Sequence, residues 1–275
     1  MVGLVPGGFG DLEELAADAE VIHIHGHRHR LETAAAAFAR KRGIPYVITA
    51  NGAAPRIERK RGIKLVLDVV VFNRVLKNAS AVTAVSNVEV GQYLERGVSR
   101  EKIRVIPNGL DPEAFRPIPE KGSFRAEWQL DETPIVLYLG KITPRKGLLP
   151  LVRAVNILRR SRPIRLVVAG NDMGFLSKVK EEVAALEMED ITVFTGLVKG
   201  AEKTALYADA DVAVYPSEHE IFGLVPVDSI LCGTPVVVCD DPGCGEIIGG
   251  ADIGETTPYG QPEKLAAAIA GVLDD

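Results

Sequence analysis

Short runs of β-branched and other apolar residues alternate along this chain with longer stretches whose apolar positions recur every three or four residues. The runs at 21–25, 46–49, 81–85 and 103–106 predict strands, and 31–42, 64–77 and 87–96 between them carry helical spacing. A second series repeats the habit, with strands at 135–139, 165–169, 191–194, 212–215 and 235–239 and helices at 149–160, 175–186, 202–207 and 224–231. Apolar strands alternating with amphipathic helices imply parallel sheets covered on both faces. Between the two series lies NGLDPEAFRPIPEKGSFRAEWQLDET, rich in Pro and turn residues, with a Trp-bearing helical piece at 123–130. The pattern predicts an α/β protein of two Rossmann-like domains, residues 1–117 and 118–275.

Composition narrows the function without naming it. At 275 residues, 47% hydrophobic and 25% charged, the chain has core enough for two domains and no case for disorder. A net charge of −5 argues against a nucleic-acid binder, whose affinity would rest on a surplus of Lys and Arg. The charge is uneven: 17 basic against 13 acidic residues up to Pro117, then 15 against 24. Much of the early excess sits in Arg56, Arg59, Lys60, Arg61 and Lys64, either a solvated helix face or a contact for an acidic acceptor or an anionic membrane surface. Cys232, Cys239 and Cys244 form no C-x-x-C pair, which suggests neither a disulfide framework nor a zinc ribbon. The first residues lack a basic n-region and an apolar h-region, and no window is apolar enough for a membrane span. The expected location is cytoplasmic, with peripheral contact to the inner face of the membrane through Arg56 to Lys64 as a further expectation.

Two doubly wound domains place a ligand where the carboxyl ends of their strands converge, so the chemistry is expected just after strands. The strand at 135–139 leads into GKITPRKG, a glycine turn with two lysines and an arginine ahead of a helix that starts near Gly147. Free N–H groups at that helix start, with Lys141 and Lys146, suit a diphosphate; a basic surface turn is the plain alternative. The strand at 212–215 leads into PSEHEIFGLVPVDSILCGTP, where Pro226 fits a first helical turn and the helix opens around Gly223. Glu220 then lies on the loop and Asp228 on the second turn, both able to accept hydrogen bonds from sugar hydroxyls. The N–H groups of Phe222, Gly223 and Leu224 are expected to face an anion.

With VIHIHGH, IPYVITANG, ASAVTAVSNVE, KIRVIPNGLDPEAF, VLYLGKITPRKGL, LVVAGN, VFTGLV, ADVAVYPSEHEIFGLVPVDSILCGTPVVV and GCGEII in this order, nearly the whole chain resembles the retaining glycosyltransferases of family 4. These have the GT-B architecture, two Rossmann-like domains around a nucleotide-sugar cleft. The likeness implies a UDP- or GDP-sugar as donor, no cofactor, and a sugar, lipid-linked or small-molecule acceptor. It implies that Lys146 holds the diphosphate, that Glu220 touches the transferred sugar, and that Gly140 and Gly196 belong to the donor side. Two positions depart from the family: Lys141 stands where Arg is usual, and Asp228 stands where a Glu binds the ribose hydroxyls. Lys lacks the planar fork of Arg, and Asp is one methylene shorter than Glu. The family is also thought to let the leaving phosphate act as base; no Ser or Cys here stands in a nucleophile setting with a His near it in sequence.

His23, His25, His27 and His29 alternate, which at a strand end puts them on one face. In the family a His after this strand faces the donor sugar, and His25 matches it. A zinc hydrolase of the barrel type, using the HxHxH run, and surface histidines without a role are the other readings; His27 and His29 fall to the surface. Asp209-Ala210-Asp211 precedes a strand and reads as capping or helix exit rather than as a metal motif. Metal is therefore expected to be dispensable. Gly7-Gly8-Phe9-Gly10 has no strand before it and lacks the context of a dinucleotide fingerprint. Against the family pattern, the strands that usually precede VIHIHGH and the helices that usually follow LAAAIAGVLDD have no counterpart here. A fragment, a miscalled start or a reduced homologue is expected, with a non-catalytic nucleotide-sugar-binding remnant as the alternative to an enzyme.

Overall fold

In the computed structural model, which describes residue 14 and residues 16–27, 30–52, 71–241 and 243–275, the apolar runs pair into two separate parallel sheets. The chain divides into two compact units, Met1–Asn108 and Gly109–Asp275. The basic stretch Arg56 to Lys64, the glycines at 7–10 and His29 lie outside the described residues.

Within the first unit the described elements are β1 (Ile22–His25), α1 (Arg30–Arg42), β2 (Tyr46–Thr49), α2 (Asn73–Asn78), β3 (Ala81–Ala84), α3 (Asn87–Glu95) and β4 (Ile103–Val105). The strands pair in chain order, all parallel, with Ile24 opposite Ile48, Ile48 opposite Val82 and Val82 opposite Ile103. These four buried side chains form one row of the core, and Ala35, Ala36 and Ala39 let α1 lie close to it. Among the described residues the sheet is four strands in chain order with β1 at one end, apart from a second sheet of six, which is not the single eight-stranded barrel of the zinc-hydrolase reading and overturns it.

The carboxyl ends of β2 and β3 carry a buried polar lattice. The Thr49 and Thr83 hydroxyls bond each other, and Tyr93 donates to Thr83 O at 3.0 Å while accepting from Ala50 N at 2.9 Å. Glu89, fully buried, accepts from Gly52 N at 2.7 Å and Val85 N at 2.9 Å. Burial raises its carboxyl pKa, and the two backbone donors pull it back.

The second unit follows with α4 (Ser123–Glu127), β5 (Ile135–Leu139), α5 (Leu148–Leu158), β6 (Arg165–Ala169), α6 (Leu176–Ala185), β7 (Thr192–Gly196), α7 (Gly200–Asp209), β8 (Val212–Tyr215), α8 (Leu224–Leu231), β9 (Val236–Cys239), α9 (Cys244–Gly250), β10 (Glu255–Thr257) and α10 (Pro262–Asp274). The sheet order is β10-β9-β8-β5-β6-β7, all parallel. From β5 the chain adds β6 and β7 on one side, then returns to add β8 on the other, so the winding reverses between β5 and β8. Alternation along β5 sends Val136 and Tyr138 into a core with Leu151, Val155 and Ile269, and Ile135 and Leu137 into another with Phe124, Leu206 and Ile248. The first of these cores holds residues of α5, α6 and α10, the second residues of α4, α7 and α9.

The GCGEII segment caps and opens α9, and β10 and α10 complete the unit. The crossing segment belongs with this unit from Gly109 onward, because Phe115 and Phe124 are buried in its core. Asp209, fully buried, accepts from Gly122 N and, at 2.8 Å, from Arg125 N, capping α4; Asp211 accepts from Ile135 N at 2.8 Å and pairs with Arg125 at 3.0 Å. The Asp-Ala-Asp run is thus structural, as its position before a strand implied.

Candidate functional site

Where the winding of a doubly wound sheet reverses, the loops leaving the two neighbouring strands part and leave room for a ligand. In the second unit those are the loops after β5 and β8, and they carry the two richest motifs of the sequence. The first turns through Pro144–Lys146 into α5, with Gly147 at φ 68° as its N-cap. A Cβ on Gly147 would lie 1.9 Å from Pro216 O, so only glycine permits this approach of the two loops. Glu218 N donates to Arg145 O at 2.9 Å and joins them again.

The approach brings Lys146 onto Glu220. The Lys146 ammonium bonds Glu220 Oε2 and, at 2.5 Å, the Tyr215 hydroxyl; Tyr215 in turn donates to Glu220 Oε2 at 2.9 Å, as does Ser217 Oγ at 3.3 Å. The ammonium also lies 4.7 Å from the centre of the Tyr215 ring. The side chains of Lys146 and Glu220 are only 18% and 24% exposed, so this pair is screened less than a surface one. Burial and the neighbouring carboxylate raise the Tyr215 phenol, keeping it a donor.

The backbone of Glu220 is fixed too. Its N–H donates to Asp241 Oδ2 at 2.9 Å, and its carbonyl accepts from Cys244 N at 3.1 Å. Burial raises the Asp241 carboxyl, opposed by the Glu220 N–H and by His219, whose Nδ1 lies 3.9 Å away. The helix after this loop opens at Leu224 with Gly223, φ 79°, as N-cap; a Cβ there would lie 2.5 Å from Cys244 Sγ. Burial pushes the Cys244 thiol up to about 12, which makes it packing rather than chemistry. Neither α5 nor α8 has a side-chain cap, so both present first-turn N–H groups at the carboxyl edge of the sheet.

These motifs are those of a known family. The family model for glycosyl transferases group 1 matches residues 120–275, and the one for the glycosyl transferase 4-like domain matches residues 6–109. The chain belongs to the group 1 glycosyl transferases.

Among curated relatives, a D-inositol 3-phosphate glycosyltransferase of Kineococcus radiotolerans is 31% identical over 226 residues, 75% of this chain and 52% of that one. A 2-deoxystreptamine glucosyltransferase of Streptomyces kanamyceticus is 27% identical over 275 residues, 94% of this chain and 69% of that one. The chain spans about half the length of the first curated relatives it matches. Among solved structures, Anabaena HepE in complex with UDP superposes with a TM-score of 0.82 at 21% identity, covering 97% of this chain and 72% of that one. Two Rossmann-like domains of the GT-B type are the architecture of this fold.

The other anticipated residues of this family member fall as follows. Lys141 is exposed and its carbonyl accepts from the Tyr138 hydroxyl at 2.9 Å; its ammonium does not join the Lys146 cluster. Gly140 ends the β5 edge, its N–H on Ala169 O at 3.0 Å, and Gly196 ends β7 and accepts from Gly170 N at 2.7 Å. Phe222 is buried beneath the loop, whereas Leu224 is 45% exposed at the start of α8. Asp228 pairs with Lys203 at 3.0 Å.

In the first unit His25 is exposed at the end of β1, its ring 4.1 Å from that of His23, which bonds Thr49 Oγ1 at 2.7 Å. Burial, with His25 nearby, lowers the His23 pKa. His27 is not at the surface: the strand ends at His25, the chain turns at Gly26, and His27 is buried edge-on to Phe72. Among the described residues no group of three or more His, Cys, Asp or Glu is placed to hold a metal ion, and no helix is long and apolar enough to cross a membrane.

Tyr215, Ser217, Asp241 and Lys203 were not anticipated. Tyr215 closes a strand whose place beside the reversal only the sheet order reveals.

Proposed function

We propose that this chain transfers a sugar from a nucleotide-sugar donor to a hydroxyl acceptor with retention at the anomeric carbon, the donor lying on the second unit. The observation that carries the reading is the Lys146–Glu220 pair at the reversal point between β5 and β8. A diphosphate competes with Glu220 for the Lys146 ammonium and also meets the N–H groups that open α5 and α8. The carboxylate so released accepts from hydroxyls of the transferred sugar, with Tyr215 and Asp241 holding it in place. Asp228 takes the ribose. Full and partial positive charges then face the leaving diphosphate, the task a metal performs in other transferases, and the diphosphate itself accepts the acceptor's proton. His25 is assigned to the donor sugar by family likeness.

UDP and GDP are the favoured carriers; UDP is supported by the HepE complexes with UDP and with UDP-glucose. The relatives named for inositol 3-phosphate and 2-deoxystreptamine favour a polyhydroxylated small acceptor. A thermal-shift panel of UDP, GDP and ADP sugars tests the reading. The cognate carrier, near a hundredfold excess over its Kd, is expected to raise the Tm by about 5 °C. Lys146→Ala removes most of that rise, and EDTA leaves it unchanged. An undiminished rise in the variant contradicts the phosphate assignment, and a strict need for Mn²⁺ contradicts the charge assignment. Binding without transfer or donor hydrolysis selects the non-catalytic alternative.

A further inference from the structure

Lys203 stands in the first turn of α7, and no motif announced it. Its Nζ donates to Asp228 Oδ2 at 3.0 Å and lies 4.9 Å from the ring centre of Phe115 and 5.9 Å from that of Tyr207. The Lys203 and Asp228 side chains are 28% and 13% exposed. Phe115 comes from the crossing segment and Tyr207 from the next turn of α7, so the cation sits between two aromatic faces with a carboxylate at its tip. Tyr207 also donates to Val225 O at 3.3 Å, in the first turn of α8, tying the two helices together. Among the described residues nothing donates to the other oxygen of Asp228, Oδ1.

We propose that Lys203 is a positioning residue for ribose recognition. By holding Oδ2 it fixes the plane of the Asp228 carboxylate and leaves Oδ1 to accept from the ribose diol. The preference for a ribonucleotide then belongs to the Lys203–Asp228 pair rather than to Asp228 alone. This rests on the donor-site reading above. An unanchored carboxylate spreads over several rotamers, including ones that miss the diol, and the bond from Lys203 holds Asp228 in a single one. The aromatic faces serve the same end: they limit where the ammonium can go and so where Oδ2 can follow.

The test is isothermal titration of the full chain with UDP against 2′-deoxy-UDP, and with GDP against 2′-deoxy-GDP, for the parent, Asp228→Ala, Lys203→Met, Lys203→Leu and Lys203→Arg. The parent is expected to prefer the ribonucleotide by about tenfold, the size of one hydrogen bond to a charged group. Lys203→Met lowers that ratio to near one while changing the affinity for the deoxynucleotide by less than about twofold, and Lys203→Arg, which keeps a donor there, restores the ratio. Lys203→Leu, which also lacks a donor, serves if the Met variant fails to fold. A lysine acting only as bulk charge would weaken both nucleotides alike, and that result overturns the proposal. If Asp228→Ala abolishes the preference and the Met and Leu variants keep it, the Lys203 inference falls alone. If Asp228→Ala keeps it as well, or the parent shows none, the ribose assignment of Asp228 falls with it.

Discussion

Lys146 already has two partners, Glu220 and Tyr215, so a diphosphate must take the ammonium from a carboxylate that competes for it. Glu220→Gln removes the competitor's charge. Calorimetry is expected to show free nucleoside diphosphate binding about fivefold tighter, about 1 kcal/mol, to this variant than to the parent, while transfer falls. Weaker binding would mean that Glu220 helps to hold the diphosphate rather than the sugar. Glu89 offers a titration in the first unit. Its folded pKa is raised, so between the unfolded and folded values the native chain holds a proton that the unfolded chain has lost. Stability from this residue therefore falls as pH rises from about 4.5, the unfolded value, through the folded pKa. The Gly52 and Val85 amide resonances should report that proton above pH 4.5; titration below it would contradict the assignment. Lys146 and Glu220 were legible in the sequence because each follows a strand within a dense motif. Tyr215, Asp241 and Lys203 were not, because their partnerships depend on which strands are neighbours and how their loops meet. His27 shows the opposite failure, an alternation extended past the end of the strand that produced it.

Most strands and helices with a clear apolar period were readable to within a residue or two, β2, β5, β6 and β8 without error; of the helix expected at 64–77, residues 64–70 lie outside the described residues and the described helix is Asn73–Asn78, and the piece expected at 123–130 ends at Glu127. The misses have physical causes. β10 is Glu-Thr-Thr with only Thr257 buried, an edge strand without an apolar run. α9 begins Cys-Gly and ends Gly-Gly, a composition that reads as loop, yet it forms because Cys244 and Ile248 turn inward. Its start lies against the site, since Gly243 leaves no room for a Cβ beside Glu220 O, 2.1 Å away. The α4 cap gives a prediction at this scale. Asp209→Ala strips partners from the Gly122 and Arg125 amides and leaves α4 uncapped, so the second unit should lose about 3 kcal/mol in denaturant titration. A loss under about 0.5 kcal/mol would show that water replaces the carboxylate. Gly147→Ala is expected to do more local harm, because positive φ and the Pro216 carbonyl both oppose it.

The two units differ in what holds them. The described part of the first unit has one buried cluster on a four-stranded sheet, while the second has a cluster on each face of a six-stranded sheet. The second unit is therefore expected to exchange its strand amides more slowly. Two Rossmann-like halves were foreseeable from alternation alone. The order β10-β9-β8-β5-β6-β7 was not, although it is what creates a reversal point and with it the site. The most direct test of the account is hydrogen exchange of the full chain with and without saturating UDP-glucose, and in parallel GDP-mannose. One of these donors is expected to slow exchange in two separate segments of the second unit, residues 146–149 and 222–225, and Lys146→Ala should abolish both effects. Saturable binding that leaves these two segments unprotected would contradict the claim that they hold the donor.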